Sequence, residues 1–328
     1  MFHTPIPAMR NRTPPQMRRA SRFVPKVLIG AFSFAIVVLA VLWLRVAFAA
    51  APYRQTIVIA GNPAHILSLN ASKTGIILID VPEETVISAV KGYGAYSVRS
   101  LTILDGIDKH YGSLISGSIS NAFGIPVSWY VAPSDISSGA GSVEMIRRVF
   151  SWGSILRRLS GKLETSIPMS TWVHFVWALR FIPADAVKVI DIRPAIVPLT
   201  SPDGGIVMTL DESKLDFLLQ SELYDTGLRA ENLTVAVYNT TDVASVGLRA
   251  SRQLSRLGVQ LVFVGNAEQH PRTSCVLSGS DTALKSKTAK FIRSYFRCKE
   301  SAERSQTGKE TGADLVVELG SDYAGQYK

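Results

Sequence analysis

The sequence predicts an α/β protein in three parts: one N-terminal helix fit to cross a membrane, an α/β layered unit beyond it, and a small two-layer α/β domain at the C-terminus. Three observations carry that reading. Residues 27–44 run without a single charge. From residue 56 onward, short β-branched runs alternate with stretches of helical periodicity, the pattern of an α/β layer structure. The alternation restarts after residues 227–232, which divides the chain beyond the helix into 51–230 and 231–328.

At about 1.5 Å per residue, a helix over 27–44 rises roughly 27 Å, close to the hydrocarbon thickness of a bilayer. Residues 46–51 extend it to a transmembrane anchor over 27–50 if Arg45 snorkels to the interface. The preceding residues 1–26 carry Arg10, Arg12, Arg18, Arg19, Arg22 and Lys26 with no acid. The tail is therefore expected to be disordered and cytoplasmic, and the bulk of the chain extracytoplasmic, as in a single-pass membrane protein. Ala47-Phe48-Ala49 before Ala50 offers a signal-peptide cleavage site as the alternative. The apolar run exceeds the usual length of a signal-peptide core, which favours the retained anchor.

The formal net charge is +9, from 35 basic and 26 acidic side chains. Nine of the bases and none of the acids lie in residues 1–79, so 80–328 are balanced at 26 against 26. The basicity belongs to the topogenic end, and a nucleic-acid partner is not expected. The chain has two cysteines, Cys275 and Cys298, both on the exported side. In an oxidising compartment this predicts a disulfide in preference to two buried thiols. No histidine or third cysteine stands at ligand spacing, so no metal site is expected.

Taken in order, residues 56–60 and 75–81 read as buried strands bounded by glycine and proline. Leu104, Ile107, Tyr111, Leu114, Ile115 and Phe123 keep helical spacing up to Gly124, which predicts one core-packing helix with a glycine stop. Residues 127–132 follow as a strand. Val143, Ile146, Phe150, Leu156 and Leu159 predict an amphipathic helix ended by Gly161, and a further helix starts at Ser170 and must end by Pro183. Residues 188–193 read as a strand, and Leu215, Leu218, Leu219 and Leu223 mark another helix.

The last hundred residues read as strand 233–238, helix 243–257, strand 259–264, strand 274–277, helix 282–297 and strand 314–319. In the first of these helices Asp242 is the candidate N-cap and Gly258 the stop. Val243, Val246, Ala250, Leu254 and Leu257 form its apolar face, with Arg249, Arg252 and Arg256 opposite.

This order, together with Val235-Ala-Val-Tyr-Asn239, Gly247-Leu248, Leu257-Gly258 and the closing run from Ala313 through Leu319-Gly320-Ser-Asp322-Tyr323, resembles the C-terminal domain of LytR-CpsA-Psr bacterial envelope proteins. Residues 56–132 resemble, more distantly, the catalytic domain of that family. Asp80-Val81-Pro82-Glu83-Glu84-Thr85 stands where the family has a Ser-Ile-Pro-Arg-Asp-Thr pattern, and Gly124-Ile125-Pro126 precedes a matching strand. The resemblance implies a role in transferring a polyprenyl-phosphate-linked glycopolymer to the cell wall, with arginines holding the pyrophosphate and an aspartate positioning a divalent metal.

Glu83, Glu84 and Thr85 are thus degenerate site positions. A carboxylate in place of a guanidinium turns attraction for phosphate into repulsion, and phosphoryl transfer depends on such cations. Arg147 and Arg157 are the candidate substitutes for ligand binding, with Arg148 and Arg158 beside them.

Asp105, Asp108 and His110 read as a solvated helix surface and not as a metal set. The expectation is a membrane-anchored, non-catalytic protein with no cofactor that binds a wall glycopolymer or an envelope partner. The alternative is an active glycopolymer phosphotransferase, which would require Mg²⁺.

Overall fold

The computed structural model describes residues 53–61, 63–70, 75–110, 112–133, 142–180, 182–201, 204–219, 222–267, 273–301 and 311–325, and residues 32, 34, 35, 37 and 38 before them. Met1–Ala49 and Ala50–Lys328 are separate compact units. In the first, Phe32, Phe34, Ala35, Val37 and Val38 are helical and exposed. The tail 1–26 and most of the expected span 27–50 lie outside the described residues. No helix among the described residues is long and apolar enough to cross a membrane.

The second unit begins with strands β1 (Gln55–Ile59), β2 (Ala64–Leu69), β3 (Ile76–Val81), β4 (Thr85–Ala89) and β5 (Gly94–Ser97). Helices α1 (Val98–Ile107) and α2 (Ser113–Phe123) lead to β6 (Trp129–Pro133). Helices α3 (Ser142–Val149) and α4 (Trp152–Leu159), strand β7 (Leu163–Thr165) and helix α5 (Met169–Arg180) follow. The chain then forms β8 (Val187–Asp191), β9 (Ile196–Thr200), β10 (Ile206–Leu210), α6 (Glu212–Leu219) and α7 (Thr226–Ala230).

The main sheet has the order β7-β6-β1-β2-β3-β8, and a smaller one the order β5-β4-β10-β9. Strands β1, β3, β6 and β8 run in one direction, with β2 opposed between β1 and β3. Alternate residues of the buried strands feed two cores. Val58, Ile66, Ile77 and Ile79 meet α1, α2 and α6 on one face, while Ile57, Leu67, Leu78 and Val131 meet α3 and α5 on the other. The result is a three-layer α/β/α sandwich.

Three of the expected helices, up to Gly124, up to Gly161 and over 282–297, are each split in two. Between α1 and α2, the buried Asp105 carboxylate turns the chain by accepting the backbone N–H groups of Gly112, Leu114 (2.7 Å) and Ile115 (3.2 Å). These are the orphan donors of the first turn of α2. Asp105 is therefore a buried cap and not part of a solvated face, which corrects the sequence expectation. Gly112 has φ +96°, and a Cβ there would lie 2.4 Å from Cδ2 of Tyr130, so glycine is required on both counts. Helix α2 stops at Gly124, φ +61°, as its periodicity predicts.

The C-terminal portion contains β11 (Thr234–Asn239), α8 (Val246–Arg256), β12 (Gln260–Asn266), β13 (Val276–Gly279), α9 (Asp281–Leu284), α10 (Lys287–Phe296), β14 (Lys299–Ser301), β15 (Leu315–Leu319) and α11 (Ser321–Ala324). Its sheet order is β12-β11-β15-β13-β14. Val235, Val237, Leu277, Leu315 and Val317 face α8 and α10, which makes a two-layer domain. Helix α8 begins three residues later than the sequence suggests. Its N-cap is Ser245, at φ 66° with no side-chain cap, and not Asp242.

The arginine side of α8 is not solvated. Arg252 bonds Glu212 (2.9 Å) and Asp216 (2.8 Å), and Arg256 bonds the same Asp216 carboxylate and donates to the Phe123 carbonyl at 3.2 Å. Gln253 donates to Ser120 Oγ at 3.0 Å and accepts from Tyr323 OH at 3.1 Å. Burial pushes the Arg256 guanidinium pKa down, and the Asp216 carboxylate opposes that shift. These contacts join the C-terminal domain to α2 and α6.

Candidate functional site

In a sheet whose principal strands run one way, ligands bind beyond the carboxyl ends of those strands. That edge is formed here by the ends of β3 and β8 and the start of β2. Register places His65, Asp80 and Asp191 side by side across β2, β3 and β8. His65 Nδ1 lies 2.7 Å from Asp80 Oδ1. Asp191 receives a fork from Arg193, with Nε 2.9 Å from Oδ1 and Nη2 2.7 Å from Oδ2. That side-chain hydrogen bonding holds the Asp191 carboxyl below the ordinary carboxylate range and raises the Arg193 guanidinium.

Beyond β3 the chain turns through the degenerate positions. Glu83 faces Arg99 with Oε2 and Nη1 3.8 Å apart, and its carbonyl accepts the Arg99 N–H at 2.9 Å. Glu84 is exposed. Thr85 is fully buried as the first residue of β4, where it pairs with Met208 of β10. The arginines at this edge, Arg99 and Arg193, each face a carboxylate, and so does the His65 ring.

Among the described residues no group of three or more His, Cys, Asp or Glu side chains is arranged to hold a metal ion. Asp80 is engaged by His65 and Asp191 by a bidentate guanidinium, so neither presents a vacant pair of carboxylate oxygens.

Arg147 and Arg157 lie elsewhere. They belong to α3 and α4, the first of which packs on the sheet face opposite α1, whereas Glu83 meets Arg99 of α1. Arg147 donates to the Ile182 carbonyl at 2.9 Å and Arg157 to the Arg148 carbonyl at 3.1 Å, and both groups are at the surface. The structure does not bring them to Glu83–Thr85.

A second candidate opens at the amino end of β6. Ser116 and Ser120 of α2, Ser128, Trp129 and Tyr130 of the β6 segment, and Tyr295 of α10 are among the residues around a groove of about 260 Å³. Tyr295 OH lies 3.4 Å from Ser120 Oγ and its ring stacks on Phe291 at 5.5 Å. Burial raises the Tyr130 phenol pKa. Hydroxyls that both donate and accept, rimmed by aromatic rings, suit a neutral polyhydroxylated ligand better than a polyanion. Sequence reasoning missed this groove because its serines and rings come from three separate segments.

Cys275, just ahead of β13, and Cys298, between α10 and β14, form a disulfide. Lys299 N–H donates to the Cys275 carbonyl at 2.8 Å beside it.

Comparison with known proteins identifies the C-terminal domain. Residues 232–323 match the model described as LytR cell envelope-related transcriptional attenuator. The chain carries a LytR-type C-terminal domain. It is the domain on which the resemblance to LytR-CpsA-Psr envelope proteins rests most firmly.

No match is found among curated proteins. Similar solved structures include the Bacillus subtilis transcriptional regulator YvhJ, at 12% identity over 52% of this chain and 98% of that one, TM-score 0.39. The Enterococcus faecalis regulator EF0465 is 9% identical over 63% of this chain and 89% of that one, TM-score 0.36. YwtF (TagT), described with bound octaprenyl pyrophosphate lipid, is 11% identical over 51% of this chain and 89% of that one, TM-score 0.35.

Proposed function

We propose that this chain is a membrane-anchored envelope protein that binds a wall glycopolymer without transferring it. Its short N-terminal tail is cytoplasmic and its bulk extracytoplasmic. The single observation that carries the non-catalytic part is the pairing at the carboxyl edge, where Arg99 meets Glu83, Arg193 meets Asp191 and His65 meets Asp80. A pyrophosphate is held by converging cations, and at this edge each arginine sits beside a carboxylate that would repel it.

The LytR-type domain and the disulfide support an exported envelope location. The hydroxyl- and aromatic-lined groove around Ser116, Tyr130 and Tyr295 is the polymer contact in this reading. The competing activity, glycopolymer phosphotransfer, would draw on Arg147 and Arg157.

Titration of the detergent-solubilised full chain with lipid-free wall glycopolymer tests the proposal. Saturable binding is expected. Tyr295→Ala should weaken it roughly five- to tenfold, the effect of losing about 1 kcal/mol of aromatic contact. Absence of saturable binding, or binding indifferent to Tyr295 and to Ser116→Val, would refute it.

A further inference from the structure

Helix α4 is seated the wrong way round for a soluble surface. Trp152, Leu156 and Leu159 fall on one stripe at i, i+4 and i+7, and they are 47%, 70% and 71% exposed. Its inward side sets only Ile155 against the core and carries polar groups beside it. Ser154 is fully buried, where its Oγ lies 3.2 Å from Trp172 Nε1 and donates to the Ser151 carbonyl. Arg158 lies with its guanidinium 5.6 Å from the Trp172 ring centre and donates to the Ile167 carbonyl. Burial lowers the Arg158 pKa.

Its neighbours in the same layer are seated normally. Helix α3 buries Met145, Ile146 and Val149, and α5 buries Trp172, Phe175, Val176 and Leu179. The inversion is therefore confined to α4.

Charge says what such a face is for. Residues 142–164 hold five bases, Arg147, Arg148, Arg157, Arg158 and Lys162, against two acids, Glu144 and Glu164, although 80–328 as a whole are balanced. Glu144 is taken up by Arg148 at 3.2 Å, an exposed pair of small energetic weight. A tryptophan and two leucines flanked by arginines are the composition of a helix that lies in the headgroup region of an anionic bilayer.

We infer that α4 is a membrane-contact element: Trp152, Leu156 and Leu159 enter the interfacial zone of an anionic bilayer, and Arg147 and Arg157 pair with lipid phosphates. The contact holds the folded unit against the membrane whether or not a glycopolymer is bound, so it stands apart from the function proposed above.

Because Cys275 and Cys298 are bonded to each other, Leu156→Cys introduces the one free thiol of the chain. The full chain carrying a polarity-sensitive fluorophore at that thiol is reconstituted in vesicles of phosphatidylcholine with phosphatidylglycerol, and in phosphatidylcholine alone. The same label at Leu199→Cys, on the exposed strand β9, serves as control. The label at position 156 should shift to the blue and be quenched by brominated lipid in the anionic vesicles, and the label at 199 should not.

Changing Arg147 and Arg157 to Gln together should cut the docked-to-undocked ratio about thirtyfold, from about 1 kcal/mol per basic residue near an anionic surface. Three results would each overturn the inference: a label at 156 that stays in water, quenching indifferent to both arginines, or a blue shift that depends on protein concentration and not on lipid charge. The last would mark α4 as a protein-binding face.

Discussion

Helices α4 and α8 are both amphipathic and both arginine-bearing, yet they are seated in opposite senses. In α8 the apolar face of Val246, Ala250 and Leu254 is fully buried, and the opposite face is buried as well, because Arg252, Gln253 and Arg256 meet α2 and α6. In α4 the leucines face water, and the interior receives Ser154 and Arg158 beside Ile155. Periodicity identifies a stripe on a helix. It does not say which stripe meets a core, which meets a second domain and which is left for a partner outside the chain.

A matched pair of truncations separates the two helices most sharply. Leu254→Ala should cost about 2–5 kcal/mol, the range for a fully buried leucine. Leu156→Ala should change stability by no more than about 0.5 kcal/mol, as for other surface positions. Denaturant unfolding of the full chain in detergent measures both. A large loss at Leu156 would mean that α4 is buried after all.

A smaller effect is expected at the shared carboxylate. Asp216→Ala leaves Arg256, 6% exposed, without its ion partner. Breaking a fully buried pair costs about 3–5 kcal/mol, and the 46% exposure of the Asp216 side chain reduces this to about 2 kcal/mol. Glu212→Ala, which removes the more exposed partner of Arg252, should cost under about 0.5 kcal/mol. Equal losses from the two acids would contradict the view that Arg256 anchors the interface.

The smallest effect concerns acid. Burial pushes the Glu231 carboxyl up, but the N–H groups of Lys287 and Thr288 and the Thr288 hydroxyl outweigh burial and hold it below the ordinary glutamate value. A depressed folded pKa contributes stability that is present above the unfolded pKa, near 4.3, and lost as pH falls through the folded one. Unfolding midpoints should therefore fall as pH drops below about 4.3, and Glu231→Gln should flatten that slope. An unchanged slope in the variant would show that Glu231 does not cap α10.

The C-terminal domain was largely legible, because each of its longer strands is a compact apolar run and Gly258, at φ +86°, ends α8 where the stop was expected. The three-residue β14 was too short to be seen. The second sheet was also missed. Strand β4 pairs with β10 far along the chain, and β5 and β9 are mostly exposed, so neither sequence proximity nor apolar alternation marks them.

Asp105 was misread for a similar reason: its capping partners follow a turn that periodicity ran straight through. At the carboxyl edge Glu83 is singled out only by the family resemblance. The alignment of His65 and Asp191 with Asp80 is a product of strand register, and no local motif announces it.

The proposed function requires that the carboxyl edge, with a carboxylate beside each arginine, does not hold a pyrophosphate. Its most direct test is equilibrium binding of polyprenyl pyrophosphate to the detergent-solubilised full chain with Mg²⁺ present, with polymer transfer followed in the same sample. No saturable binding and no transfer are expected. Saturable, Mg²⁺-dependent binding with transfer, lost on Arg99→Ala or Arg193→Ala, would contradict the account, and loss on Arg147→Ala or Arg157→Ala would place the activity on α3 and α4 instead.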